Sequence, residues 1–202
     1  MPNMLKIIFD VSICLLSLPF VIPVFFVIAI IIKIYSPGTI FYLGIRAGKN
    51  GIPFRIVKFR TMIQEAEKLG SGTTALNDVR ITKVGRFLRK YKLDELPQLI
   101  NVLKGEMSLV GPRPQVPEDV ALYTKEEKSI LSVRPGITDW ASIKYHNEGE
   151  ILRGSPDPDQ AYIEKIRPGK IKLELEYVRN HSFWIDLKIL LKTVKTLFST
   201  RL

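Results

Sequence analysis

Lys92-Leu93-Asp94-Glu95-Leu96-Pro97-Gln98-Leu99 sets two adjacent carboxylates between two segments of helical apolar spacing. Before it, Val84, Phe87, Leu88 and Tyr91 recur at i, i+3, i+4 and i+7, and Thr82 stands where a cap would. After it, Leu96, Leu99, Ile100 and Leu103 form a second stripe, which Lys104-Gly105 ends. The spacing predicts two helices joined at the acidic pair, with Asp94 as N-cap of the second and Pro97 in its first turn. Capping alone would explain an Asp-Glu pair there. The surroundings ask for more: Lys83, Arg86, Arg89, Lys90 and Lys92 precede it, and Gly111-Pro112-Arg113-Pro114 follows. An acidic pair in a basic setting suits a substrate more negative than the site itself. Helix-end amides would also favour an ionised carboxylate, the form a nucleophile needs.

The whole chain shares this charge bias. Its 202 residues carry 30 Lys+Arg against 20 Asp+Glu, a net charge of +10. Such an excess points to phosphates, in nucleic acid, nucleotides or anionic lipid headgroups. A single cysteine, Cys14, excludes an intrachain disulfide framework and a thiolate zinc cluster; His146 and His181 alone exclude a histidine-rich metal site. The length holds one ordinary domain plus one extra element.

That extra element is Val11 to Ile32, 22 residues without a charge. As a helix it would be about 33 Å long, against a bilayer core of about 30 Å. A cleaved signal is disfavoured by the length of the run and the lack of a small-residue cleavage site. Two readings then stand level. One is an ordinary spanning helix, in which prolines are tolerated. The other is a helix that enters, bends at Pro19 and Pro23, and leaves on the same side. No acidic residue occurs from Val11 to Gln64, while Lys33, Arg46, Lys49, Arg55, Lys58 and Arg60 follow the run, so the body of the protein is expected in the cytoplasm.

Beyond Ser36-Pro37-Gly38, Thr39 to Ile45 and Phe54 to Met62 read as strands of a hairpin joined at Gly48-Lys49-Asn50-Gly51. Lys58 and Arg60 share one face of the second strand. Glu65 to Asn77, with Gly70-Ser71-Gly72, reads as a loop or weak helix. Ser108 to Pro117 is extended and stiffened by prolines on both sides of Arg113, which suits a positioned phosphate clamp. Glu118 to Val133 is expected as one surface helix, Arg134 to Thr138 as a turn into an extended segment, and Trp140 as core. Ser155 to Asp159 and Arg167-Pro168-Gly169 read as loops. Phe183 to Phe198 is amphipathic, with Trp184, Leu187, Leu191, Val194 and Phe198 at helical spacing between Lys188, Lys192 and Lys195; it suits a packed helix or an interfacial one.

Five blocks in order resemble the bacterial sugar transferase family, the monotopic phosphoglycosyl transferases that start glycan assembly on a polyprenol phosphate. They are the apolar run ending at Lys33; Phe54 to Met62; Leu93 to Gly105; Met107 to Pro114; and Val133 to Thr138. The resemblance covers essentially the whole chain. It implies a helix-rich α/β fold: a re-entrant membrane helix over 1–36 and a cytoplasmic catalytic domain over 37–202 with a β-hairpin and amphipathic interfacial helices. It implies transfer of a sugar-1-phosphate from a UDP-sugar to undecaprenyl phosphate, with release of UMP, at the cytoplasmic face of a bacterial inner membrane. The product would be the first lipid-linked step of an exopolysaccharide, O-antigen, capsule or glycoprotein glycan. By the same resemblance Asp94 is the nucleophile, and Glu95, with Asp94, the partner of Mg2+. Arg89 and Arg113 match arginines of the phosphate site, with Lys58, Arg60 and Arg134 as further contributors. Pro23, with Pro19, is the helix break. Membrane lipids are expected partners and nucleic acid is not; a homodimer is left open. A non-catalytic anchored module that binds anionic lipid or nucleic acid is the competing class, and the ordered blocks weigh against it.

The chain departs from the family pattern in three places. Ile22 precedes Pro23 where a serine is usual, Asp139 precedes Trp140 where glycine is usual, and Lys144 to Asn147 replaces an Asn-Gly-Arg-Asn-like run, with His146 at the arginine position.

Overall fold

The structure is a computed structural model that describes residues 4–69 and 78–199, with side chains for all of these but 67, 68, 198 and 199. The expected Gly70-Ser71-Gly72 loop and the side chain of Phe198 lie outside that description.

Helix α1, Met4–Tyr35, runs without interruption through Pro19 and Pro23. The prolines therefore do not end the helix, although each removes a donor from its ladder. Ser17 donates its hydroxyl to the Cys14 carbonyl, a bond that tends to bend helices. Strands β1, Phe41–Ala47, and β2, Pro53–Phe59, pair antiparallel with Phe41 opposite Phe59 and Ala47 opposite Pro53. The turn between them falls at Lys49–Gly51, where Asn50 and Gly51 take positive φ.

Helix α2, Lys83–Lys90, is capped by Thr82, whose Oγ1 accepts from the Gly85 amide at 2.9 Å. The acidic pair then lies in a short 3-10 turn, Leu93–Glu95, entered through Lys92 in the left-handed region. Asp94 is thus not the N-cap of the next helix. Pro97 occupies that place, and α3 spans Gln98–Leu103. The turn tightens because the Glu95 and Leu96 amides reach back three residues, to Lys92 and Leu93.

Strand β3, Ser108–Val110, precedes α4, Pro117–Ala121, and pairs in parallel with β4, Gly136–Thr138. Two glycines let these strands meet: a β-carbon at Gly136 would lie 2.0 Å from the Gly111 nitrogen. Instead of one helix over Glu118 to Val133, α4 ends early and a 3-10 segment covers Glu127–Ser132. Thr124 and Glu127 form a reciprocal cap there, each side chain accepting from the other's amide. The remaining helices are α5, Trp140–Lys144; α6, Glu148–Ile151; α7, Pro158–Lys165; α8, Arg167–Asn180; and α9, Phe183–Ser199. Arg167-Pro168-Gly169 opens α8 rather than forming a loop, since a first-turn proline loses no helical bond. Asp157 caps α7 through the Asp159 and Gln160 amides, so the second half of the expected Ser155 to Asp159 loop is helix start.

Among the described residues, three apolar clusters hold these elements. The largest joins Cys14, Phe54, Ile56, Val102, Met107, Val110, Tyr177 and Ile189, with Trp140 packed at its edge. A second joins Ile28, Ile32, Phe59 and Leu88, with Phe25 wedged against Phe41 and Phe59. Helix α1 therefore contributes its first half to one core and its second half to another. Between them Phe20 is 78% exposed, and Leu16, Val24 and Phe26 are exposed as well. A third, smaller cluster, Leu152, Ala161 and Ile166 with Tyr145 and Tyr162, holds α6 and α7 against the start of α8.

The N-terminal half of α1 is also held by polar contacts. Lys6 pairs with Asp186 of α9, which accepts from the Tyr177 hydroxyl at 2.7 Å. Asp10, 2% exposed, accepts from the Ser108 hydroxyl at 2.6 Å.

Candidate active site

Each wall of the acidic pair has a local cause. Strand β2 brings Lys58, and its register toward the pair is set by Asn101, which is fully buried. The Asn101 side chain accepts from the Val57 amide at 2.9 Å and donates to the Arg55 carbonyl at 2.8 Å and to Glu106 at 2.7 Å. The following turn places Glu95 where Lys58 Nζ meets its Oε1 at 2.9 Å. Arg113, just past β3, closes on the same carboxylate: its Nη2 donates to Oε1 at 2.5 Å and its Nη1 to Oε2 at 3.3 Å. On the other side Arg89 donates Nε to the Thr61 hydroxyl at 2.9 Å. This approach depends on Gly85, because a β-carbon there would lie 1.9 Å from the Thr61 carbonyl oxygen.

The two carboxylates are equally buried and differ in their partners. Burial works against ionisation of Glu95, but Arg113 and Lys58 outweigh it and hold the group well below the ordinary carboxylate range. Asp94 has no such clasp, and its buried Oδ1 has no hydrogen-bond partner. Burial, with the Glu95 charge beside it, pushes Asp94 above its ordinary value; Lys58, Lys92 and Arg89 oppose that rise. The expectation that helix-end amides favour an ionised Asp94 is therefore not met: burial pushes the group toward protonation, and Lys58, Lys92 and Arg89 oppose that push.

Among the sequence candidates, Lys58, Arg89, Asp94, Glu95 and Arg113 share one charge network. Arg60 does not join it. Its guanidinium donates to the Ser36 carbonyl at 2.7 Å and the Pro37 carbonyl at 2.5 Å, closing the end of α1 against β2. The charge of Arg134 is felt at Asp10 of α1, where it works against the rise that burial causes. Asn101, Thr61 and Gly85 were not singled out by sequence reasoning. Asn101 had a signal: a single amide on the inward side of an apolar stripe is a candidate for a buried bridge.

A magnesium ion would need oxygen donors. Among the described residues no group of three or more His, Cys, Asp or Glu side chains converges to hold one unaided. Two adjacent carboxylates, one with an orphaned buried oxygen, nevertheless fit the way Mg2+ is usually held, by one or two carboxylates together with substrate phosphates.

Two neighbouring carboxylates with three cations around them thus lie in a chain that also carries a long apolar helix. The chain belongs to the bacterial sugar transferase family, whose model matches residues 1–200. It is 42% identical over 193 residues to the uncharacterized sugar transferase EpsL of Bacillus subtilis, covering 95% of this chain and 86% of that protein. It is 36% identical over 193 residues to a UDP-N-acetylgalactosamine-undecaprenyl-phosphate N-acetylgalactosaminephosphotransferase of Aeromonas hydrophila, covering 94% of this chain but 43% of that one. Identity is 40% over 189 residues to the UDP-glucose:undecaprenyl-phosphate glucose-1-phosphate transferase of Escherichia coli, covering 92% and 38%. The chain thus spans less than half the length of these last two relatives.

Proposed function

We propose that the protein is a phosphoglycosyl transferase that moves a sugar-1-phosphate from a UDP-sugar to undecaprenyl phosphate. The observation that carries this reading is the asymmetry of the acidic pair. Asp94 presents an unpartnered buried oxygen, while Lys58 and Arg113 immobilise Glu95 beside it.

In the first step the Asp94 oxygen attacks the phosphorus that bears the sugar. A bond forms between that oxygen and phosphorus, the phosphorus bond to the bridging oxygen breaks, and UMP leaves with the electron pair. In the second step an oxygen of undecaprenyl phosphate attacks the same phosphorus and the Asp94 carboxylate is released. Splitting the transfer this way lets nucleotide and lipid use one site in turn. Bringing a carboxylate to a diphosphate sets like charges together. Arg89, Arg113 and Lys58 supply the opposing charge. Mg2+, held by Asp94 and Glu95 with the substrate phosphates, would neutralise charge on the transferring phosphoryl.

The acceptor phosphate lies at headgroup level, so the site belongs at the membrane surface. A re-entrant α1 would provide this. It is supported by both halves of the helix packing on the same body, with the apolar middle exposed. Helix α9 fits an interfacial role: Trp184 is 72% exposed and Leu191 and Val194 are exposed too, while Ile189 faces the core. Catalysis then takes place on the cytoplasmic face.

The test is UMP release by protein in nanodiscs containing undecaprenyl phosphate, across a set of UDP-sugars. Turnover with at least one donor, lost in Asp94→Asn, is the expected result. Full turnover by Asp94→Asn would remove Asp94 as nucleophile.

A further inference from the structure

Helices α8 and α9 are tied near Tyr177 and Asp186, whose side chains share a 2.7 Å hydrogen bond. Both also pack against α5. Between the three helices lies a groove of about 270 Å³, lined by Trp140, Ile143, Lys144, Leu173, Glu176 and Lys192. That is room for several waters, each taking about 30 Å³, or for one small polar group. The α9 wall is held in place, because Thr193, next to Lys192, shares a 2.8 Å hydrogen bond with Thr138 of β4. None of the five side chains in the charge network around the acidic pair lines this groove.

Its charges are open to a ligand. Among the described residues neither lysine is ion-paired: the Lys192 ammonium lies 5.0 Å from the centre of the Trp140 ring, and that of Lys144 lies 5.5 Å from the centre of the Tyr145 ring. Glu176 is exposed and also has no cation partner among the described residues. Two ammonium groups against one carboxylate leave one net positive charge, which a single phosphodiester anion balances. Glu176 accepts only, so it suits hydroxyl donors beside that phosphate. Trp140, Ile143 and Leu173 supply apolar walls for what the phosphate is attached to. A free phosphate ion would leave those walls unused and turn a second negative charge toward Glu176. The setting names the source. Trp184, Leu191 and Val194 are exposed on α9, and Lys188 and Lys195 stand about one turn to either side of Lys192. Exposed aromatic and leucine anchors between lysines are the dress of a helix lying at a lipid surface.

We propose that the groove between α5, α8 and α9 is a binding site for the headgroup of an anionic phospholipid of the phosphatidylglycerol kind, with its phosphodiester between Lys144 and Lys192 and its hydroxyls toward Glu176. This site lies outside the transferase chemistry and stands whether or not that reading does.

The experiment titrates the full-length protein, in non-ionic detergent, with dihexanoyl-phosphatidylglycerol. Binding is read from tryptophan fluorescence in a Trp184→Phe background, where Trp140 is the one remaining indole. A saturating change is expected, about fivefold or more tighter than with dihexanoyl-phosphatidylcholine, whose headgroup has no net charge. Lys144→Gln with Lys192→Gln should weaken phosphatidylglycerol about twentyfold, at about fivefold for each lysine facing a lipid phosphate. Lys188→Gln with Lys195→Gln, outside the groove on the same helix, should keep the preference. Equal affinity for the two lipids overturns the proposal. So does an equal loss in the Lys188 and Lys195 pair, which would mean diffuse attraction to the whole helix. Inorganic phosphate giving the same saturation at the same concentration would make this a free-phosphate site and overturn the lipid assignment. Melting curves matching the parent protein exclude misfolding, and the single lysine substitutions carry the comparison if the double one does not fold. Should Trp184→Phe not fold, the native chain is purified from bilayers containing both lipids and its retained phospholipid is counted by mass spectrometry. Phosphatidylglycerol should be enriched in the wild type and less so in the Lys144 and Lys192 variants; the same enrichment in both overturns the proposal.

Discussion

Asp94 and Glu95 are neighbours in sequence and in burial, yet their surroundings push them in opposite directions. Glu95 is locked by two cations and resists protonation; Asp94 keeps a buried, unpartnered oxygen and is pushed toward protonation. Replacing Asp94 with Asn should lower turnover about a thousandfold or more, while UDP-sugar still binds, as measured by competition with UMP. The direction of the Asp94 shift also has a kinetic consequence. Under the proposed mechanism attack needs the ionised form, and burial raises the pH at which that form appears. The acid limb of kcat/KM should therefore lie above the ordinary aspartate range. Lys92 is one of the charges opposing the rise. Lys92→Gln should move the limb to higher pH, reducing activity on the acid side and leaving the plateau in place. A limb that moves downward would contradict this assignment of charges.

At the scale of elements, the strand–turn–helix unit around the pair depends on contacts without chemistry of their own. Asn101→Ala leaves the buried Val57 amide, and the Arg55 carbonyl, without this partner. It should cost about 2 kcal/mol or more, seen as a lower melting temperature, and should lower activity by loosening Lys58. Gly85→Ala should be comparably damaging, because backbone must move to admit one methyl group; a neutral result would mean that α2 can shift freely. Much of this was legible in sequence. Apolar spacing marked both helices around the pair, Thr82 its cap, and Gly48 to Gly51 the hairpin turn. The rest was hidden for physical reasons. Phe87 and Tyr91 belong to the apolar stripe of α2, yet Phe87 is exposed and packs at a tilt against Tyr91, ring centres 4.8 Å apart, while Gly85 takes the buried face. Periodicity cannot show that a glycine wins a core position through close approach. Arg60 and Lys58 share a strand face, but nothing local told that one would cap α1 and the other reach Glu95. The Thr124–Glu127 cap was written in the sequence and would have split the helix expected over Glu118 to Val133.

Across the whole molecule, α1 is shared between two cores. A chain beginning at residue 37 would leave Phe59, Leu88, Met107 and Val110 without their α1 neighbours. It should aggregate, or melt well below the full-length protein, and give no UMP release even with detergent-solubilised acceptor. A soluble, active truncated form would show that α1 is only a tether. Topology can be tested separately. The native thiol, Cys14, is buried. With Cys14 replaced by Ser and a cysteine introduced near Asn3, an impermeant reagent outside intact cells should fail to label if α1 is re-entrant and should label if it spans.

The same shared helix makes loss of α1 and loss of the fold one event. Pulling α1 away from the body would strip both cores and the Lys6–Asp186 and Asp10–Ser108 contacts at once. A copy in which α1 never seats would then be handled by the cell as an unfolded chain and degraded. The helix is in this sense a checkpoint as well as an anchor: only a chain that has seated it persists.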